Sequence, residues 1–229
     1  MIGIIASGVC LLASCFSGGP TIVHETWTHF TVGSYFGDGK TFGHWVERFT
    51  GYGHAAIVSD SQLNQALELG PRAPAKASQT HGALVTSVAT FSDFDATVQF
   101  ATVRQLRRPT PNAWETGWLV WHYTDRSHFY YFVLEHDSWE LGKEDPAYPK
   151  GQRFLATGSQ PGLSPTKANV ARIVQSGQTI FVYVNGLPVV RFLDDERPYV
   201  SGSFGLYCED SIARFGLIHI AAPAAGAPS

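Results

Sequence analysis

Cysteine is nearly missing from this chain: 229 residues contain three, at positions 10, 15 and 208. That is too few for a disulfide framework or a thiolate metal site. Charge is scarce as well, with Asp, Glu, Lys and Arg at 15%, where a quarter is usual. The formal net charge is −3 and no polybasic run occurs, so no field draws phosphate backbones and nucleic acid is not an expected partner. The nine histidines never fall in His-x-x-x-His or His-Glu-x-x-His spacing, which argues against catalytic zinc. Neither a Gly-x-Ser-x-Gly elbow nor a phosphate-loop pattern is present, removing the commonest esterase and nucleotide signatures. No repeat of 20–50 residues argues for a propeller, and no stretch carries the periodicity of a long amphipathic helix.

Aromatic residues, glycine and proline are plentiful. Aromatics reach 13%, and 23 Gly with 13 Pro punctuate the chain. Between them lie short runs of period-two alternation, the strand signal. In Asp93-Phe-Asp-Ala-Thr-Val-Gln-Phe-Ala101, Phe94, Ala96, Val98 and Phe100 share one face while Asp95, Thr97 and Gln99 share the other. Asn185-Gly186, between Ile180–Val184 and Leu187–Val190, is a strong hairpin signal. About a dozen strands are expected between positions 54 and 220. An all-β chain of this kind leaves a two-sheet sandwich or a closed barrel. Cys208, left without a partner, reads as a small buried hydrophobe.

The first fourteen residues carry no charged side chain, and they end in Leu12-Ala13-Ser14-Cys15. This resembles the bacterial lipoprotein signal, which implies a lipid on Cys15, a membrane anchor and an envelope location; a plain secretion signal and a buried N-terminal strand or helix are the alternatives. The organisation expected is a signal over 1–15, a tether over 16–24, one β-domain over 25–220 and a disordered Ala/Pro tail over 221–229.

Several segments together resemble the concanavalin A-like lectin/glucanase superfamily. They are Asp93–Phe100, Gly117-Trp-Leu-Val-Trp-His-Tyr-Thr-Asp125, Phe129–Leu134 with Trp139–Lys143, Val184-Asn-Gly186, and Gly205–Asp210 with Phe215–Ile220. Within it the pattern is most similar to laminin-G-like and 3-keto-disaccharide-hydrolase-like bacterial domains. The resemblance implies a jelly-roll sandwich binding a polysaccharide or oligosaccharide on a concave sheet, with no cofactor required; a structural Ca2+ would be compatible with it. The functional readings it leaves open are a glycan-binding protein, a glycoside hydrolase or lyase, and a non-enzymatic protein-interaction domain.

Sugars offer flat C–H faces and rings of hydroxyls, so their sites pair aromatic platforms with planar polar groups. Three tryptophans crowd Asn112–His122. Alternation places Trp114, Trp118 and His122 on one face, with Trp118 and His122 looking outward. Substrate contacts are expected from Trp114, Glu115, Trp118, His122, Lys143, Glu209 and Asp210. Glu135-His-Asp137-Ser-Trp-Glu140 is similar to the motif of laminarinase-type retaining glucanases, which implies Glu135, Asp137 and Glu140 as catalytic carboxyls if the protein is an enzyme. Read by its neighbours, the same segment is a hairpin with Asp137 at the tip. Asp194-Asp195-Glu196 is a third acidic run, either an exposed turn or a set of oxygens for Ca2+.

Overall fold

The computed structural model describes residues 21–223; the Cys10 and Cys15 expectations and the last residues of the tail lie outside them. Seventeen strands form two antiparallel sheets, with one turn of 3-10 helix at Pro149–Gly151. This is the two-sheet sandwich expected. The nine-stranded sheet runs β15 (Leu187–Leu193), β14 (Thr179–Val184), β13 (Asn169–Ser176), β8 (Phe94–Gln105), β17 (Ser211–Ala221), β6 (Asn64–Gly70), β5 (His54–Asp60), β2 (Tyr35–Phe36). The ninth strand, β1 (Thr21–Glu25), pairs with β17. It begins inside the expected tether, and the reason is Val23, which buries in the core. The eight-stranded sheet runs β12 (Gln152–Gly158), β11 (Ser138–Glu144), β10 (His128–Glu135), β9 (Gly117–Asp125), β16 (Gly202–Glu209), β7 (Gly82–Phe91), β4 (Trp45–Phe49), β3 (Thr41–Phe42).

The core follows the alternation. Phe94, Ala96, Val98 and Phe100 of β8 pack inward, facing Leu119, Trp121, Phe132, Leu134 and Leu206 from the other sheet. Asn185 and Gly186 both take positive φ, 54° and 79°, which is the backbone that a two-residue hairpin with right-handed twist needs. Cys208 is buried in the core, as its reading as a small hydrophobe implied.

The eight-stranded sheet is apolar on both faces. Its outer face carries a second cluster of Leu84, Trp118, Val120, Tyr123, Tyr131 and Val133, with Phe49, Phe129 and Tyr207 packed on it.

Candidate functional site

A groove of about 510 Å3 lies on that outer face, lined by Trp114, Trp118, Phe154, Tyr207 and by Glu135, Glu140, Glu144, Glu209 and Gln152. Strand register builds its floor. Tyr207, Trp118, Val133 and Glu140 stand side by side across β16, β9, β10 and β11. The next row is Val120, Tyr131, Gly142 and Phe154. Because side chains alternate along a strand, Glu140, Gly142 and Glu144 all face the groove. Gly142 is required there: a Cβ on it would lie 2.2 Å from the Tyr131 hydroxyl. Gly82 plays the same part under the Tyr207 ring, where a Cβ would lie 2.5 Å away.

The polar groups are held by one another. Tyr131 donates its hydroxyl hydrogen to Glu140 Oε1 and accepts one from Gln152 Nε2 at 2.8 Å. The Tyr207 hydroxyl donates to Glu209 Oε2 at 2.9 Å, and Trp114 Nε1 to Glu209 Oε1 at 3.3 Å. Trp118 Nε1 donates to the Trp114 carbonyl at 2.7 Å, and its ring meets those of Tyr131 and Tyr207. Trp118 is therefore the floor, 7% exposed, and Trp114 the open platform at 44%. Phe154, 60% exposed, forms the opposite wall.

Crowded carboxyls in a partly dry groove resist ionisation. Burial, then the charges of Glu209 and Glu140, push Glu144 up to about 7. Burial also raises Glu140 and Glu209 above the ordinary carboxyl range, against the hydrogen bonds that Tyr131, Tyr207 and Trp114 donate to them.

Trp114, Trp118, Glu135, Glu140 and Glu209 thus share one groove, whereas the other sequence candidates lie elsewhere. His122 is turned inward and 1% exposed. Its φ is +50°, and Tyr123 to Val120 on β9 spans one residue more than Ser203 to Gly205 on β16. This bulge breaks the alternation that put His122 beside Trp118. The ring packs against Phe94 and Tyr130, and its two nitrogens lie 2.9 and 2.8 Å from the Tyr199 and Ser92 carbonyl oxygens. Tyr123 takes the outer face instead. Glu115 and Asp210 are buried, and both pair with Arg107. That guanidinium also donates to the Ala77 and Gln79 carbonyls, fastening the 72–81 loop to the sandwich. Lys143 is fully buried and donates to Asp194 Oδ2 at 2.7 Å, so that member of the acidic run is engaged inside the protein. Asp137, at φ +62°, is the exposed tip of the β10–β11 hairpin and does not line the groove. The glucanase-like motif is therefore split, with its two glutamates on flanking strands and its aspartate away from them. Among the described residues no cluster of three or more His, Cys, Asp and Glu is arranged to hold a metal ion.

The groove residues that the sequence reading missed are Tyr131, Glu144, Gln152, Phe154 and Tyr207. Glu144 and Tyr207 had a usable signal, since each is an even number of residues from a groove glutamate on its own strand, Glu140 or Glu209.

The same fold recurs in solved structures. The carbohydrate-binding module CBM66 from Bacillus subtilis superposes with a TM-score of 0.56 at 15% identity, covering 80% of this chain and 98% of that one. A galectin-like protein of unknown function from Bacillus subtilis gives 0.52 at 13% identity, with coverages of 83% and 99%. The exoplasmic/lumenal domain of VIP36, in its Ca2+/Man3GlcNAc-bound form, gives 0.51 at 12% identity, with coverages of 81% and 86%. No curated protein matches the sequence. Residues 31–221 match a single family along nearly the whole sandwich, and the chain belongs to it: the 3-keto-alpha-glucoside-1,2-lyase-like domain family.

Proposed function

We propose that the groove binds a saccharide, and that the protein is an exported, envelope-associated carbohydrate-binding β-sandwich. The observation that carries this reading is the exposed Trp114 indole standing beside Glu209, Glu140 and Glu144 on an aromatic floor. The indole covers a sugar's C–H face while the carboxylates accept from its hydroxyls. The CBM66 module and the sugar-bound VIP36 domain share this fold, which supports the reading. Export rests on the residues ahead of Cys15. Titration with a panel of neutral oligosaccharides, followed by calorimetry, tests the binding. Trp114→Ala is expected to weaken the best ligand about tenfold or more, since a tenfold loss is roughly 1.4 kcal/mol. An unchanged affinity would remove the groove from the argument.

A second reading is favoured by Glu144, which sits near half-ionised at neutral pH, the property of a general base. With family membership, it points to 1,2-elimination from a 3-keto-α-glucoside. The ketone acidifies the C2 hydrogen. Glu144 takes that proton, the C2 electron pair forms the C1=C2 bond, and the C1–O bond breaks with its electrons leaving on oxygen. Glu144 then passes that proton to the departing oxygen, which restores the base and completes the elimination. The rate is expected to rise with pH through about 7 as Glu144 ionises. Glu144→Gln should lower it about 100-fold or more while saccharide binding persists. Full activity in that variant would end the assignment of the base.

A further inference from the structure

A second cavity, of about 550 Å3, lies among loops at the end of the other sheet. It is lined by Tyr52, His54, Pro71, Arg72, Arg104 and Arg108, with no Asp or Glu in its wall. Its residues come from the ends of β5, β6, β8 and β17 and the loops beside them, and none of them lines the groove. We infer that this cleft is a separate site for an anionic saccharide, a chain of sugars bearing carboxylates.

The first argument is charge that the protein leaves uncompensated. Arg107, Arg153, Arg172, Arg197 and Arg214 each pair with a carboxylate. Arg72, Arg104 and Arg108 pair with none among the described residues, although the chain carries a net charge of −3. Arg108 donates only to the backbone carbonyls of Gln105 and Arg107, and Arg72 lies over the Tyr52 ring at 4.9 Å. Three like charges kept together repel one another, and an anion removes that cost. Guanidinium is also the side chain whose planar fork fits a carboxylate with two parallel hydrogen bonds.

The second argument is shape. The space is far larger than one small anion, and it has a flat wall. Tyr52 stands 77% exposed beside Pro71, a surface suited to the face of a sugar ring. The floor is built to stay open and in place. A Cβ on Gly70 would lie 2.5 Å from the His54 ring, which is itself fixed by Glu68 at 2.9 Å. Arg107 secures the loop that carries Arg72, through the Ala77 and Gln79 carbonyls. The cations are thus mounted on a braced frame and remain exposed.

The test uses the full chain, with tetragalacturonate as the probe and uncharged cellotetraose as the control, at low ionic strength. Tetragalacturonate is expected to bind and to weaken as salt rises. Arg72→Gln combined with Arg104→Gln should lower its affinity about tenfold or more, whereas Trp114→Ala should leave it unchanged. Both sets of residues are exposed, so neither change threatens folding. The inference fails if tetragalacturonate does not bind, or if Trp114→Ala abolishes its binding while the arginine variant does not. It also fails if inorganic phosphate binds the cleft as tightly as the oligosaccharide. Binding to phosphatidylglycerol vesicles in place of tetragalacturonate overturns it too. Because the probes and variants differ from those of the groove, either site can fail without the other.

Discussion

Lys143→Ala is expected to cost about 3–5 kcal/mol of folding stability, the usual penalty when one partner of a buried ion pair is removed. Lys143 Nζ donates to Asp194 Oδ2 at 2.7 Å and to the Glu196 and Arg197 carbonyls at 2.6 and 3.1 Å. All three ammonium hydrogens are therefore used. Three tyrosine rings, of Tyr130, Tyr148 and Tyr199, surround the charge. In the variant, Asp194 keeps the Tyr130 hydroxyl but loses its countercharge in a place closed to water. Lys143→Met with Asp194→Leu removes both charges and should recover most of the loss, because an apolar pair of similar volume is often as stable as the ions it replaces. Guanidinium unfolding of wild type, single and double variants measures this directly. A single variant less than about 1 kcal/mol below wild type would show that Asp194 finds water or another cation. Saccharide affinity, measured on the folded fraction, should not change, since Lys143 lies on the inner side of β11 and cannot reach the groove.

That placement was readable before any coordinates. Lys143 is three residues from Glu140, so on a regular strand the two cannot share a face. The hairpin reading of Glu135–Glu140, with Asp137 at its tip, also agrees with local sequence chemistry. His122 was not readable. Its alternation with Trp118 is regular in the sequence, and the bulge that turns it inward depends on Gly202 of β16: a Cβ there would lie 2.3 Å from the His122 carbonyl carbon. A strand partner some eighty positions away decides the direction of that side chain, and periodicity within β9 carries no trace of it. The same holds for Glu115 and Asp210. Their acidity suited a rim, but Arg107 draws both into one buried cluster across a separation of 103 residues. The strands between 35 and 49 escaped notice for another reason. Two of them are two residues long, shorter than any window in which alternation can be counted. The fold was legible because its long central strands repeat one pattern many times. The site was legible only in part because it is assembled from single residues on five strands and the segment before β9.

Glu47→Gln is expected to stabilise the protein at alkaline pH and to do little in acid. Glu47 lies on β4, fully buried, and neither carboxyl oxygen has a hydrogen-bond partner among the described residues. The Phe49 amide favours its ionised form without meeting hydrogen-bond geometry. Burial, and then the charge of Asp38, push this carboxyl up to about 8 from an ordinary value of 4.5. The folded protein therefore holds a proton that the unfolded chain releases at lower pH. The stability this confers is complete below pH 4.5, declines as pH rises, and is lost by the folded value of about 8. At about 1.4 kcal/mol per pH unit, the interval corresponds to roughly 5 kcal/mol. A neutral amide of the same shape does not titrate, so the variant should not share that decline. Urea midpoints for both proteins at about pH 5 and about pH 8.5 should diverge only at the higher value. Equal differences at the two values would mean that Glu47 ionises freely in the fold, reached by water or a cation along β4.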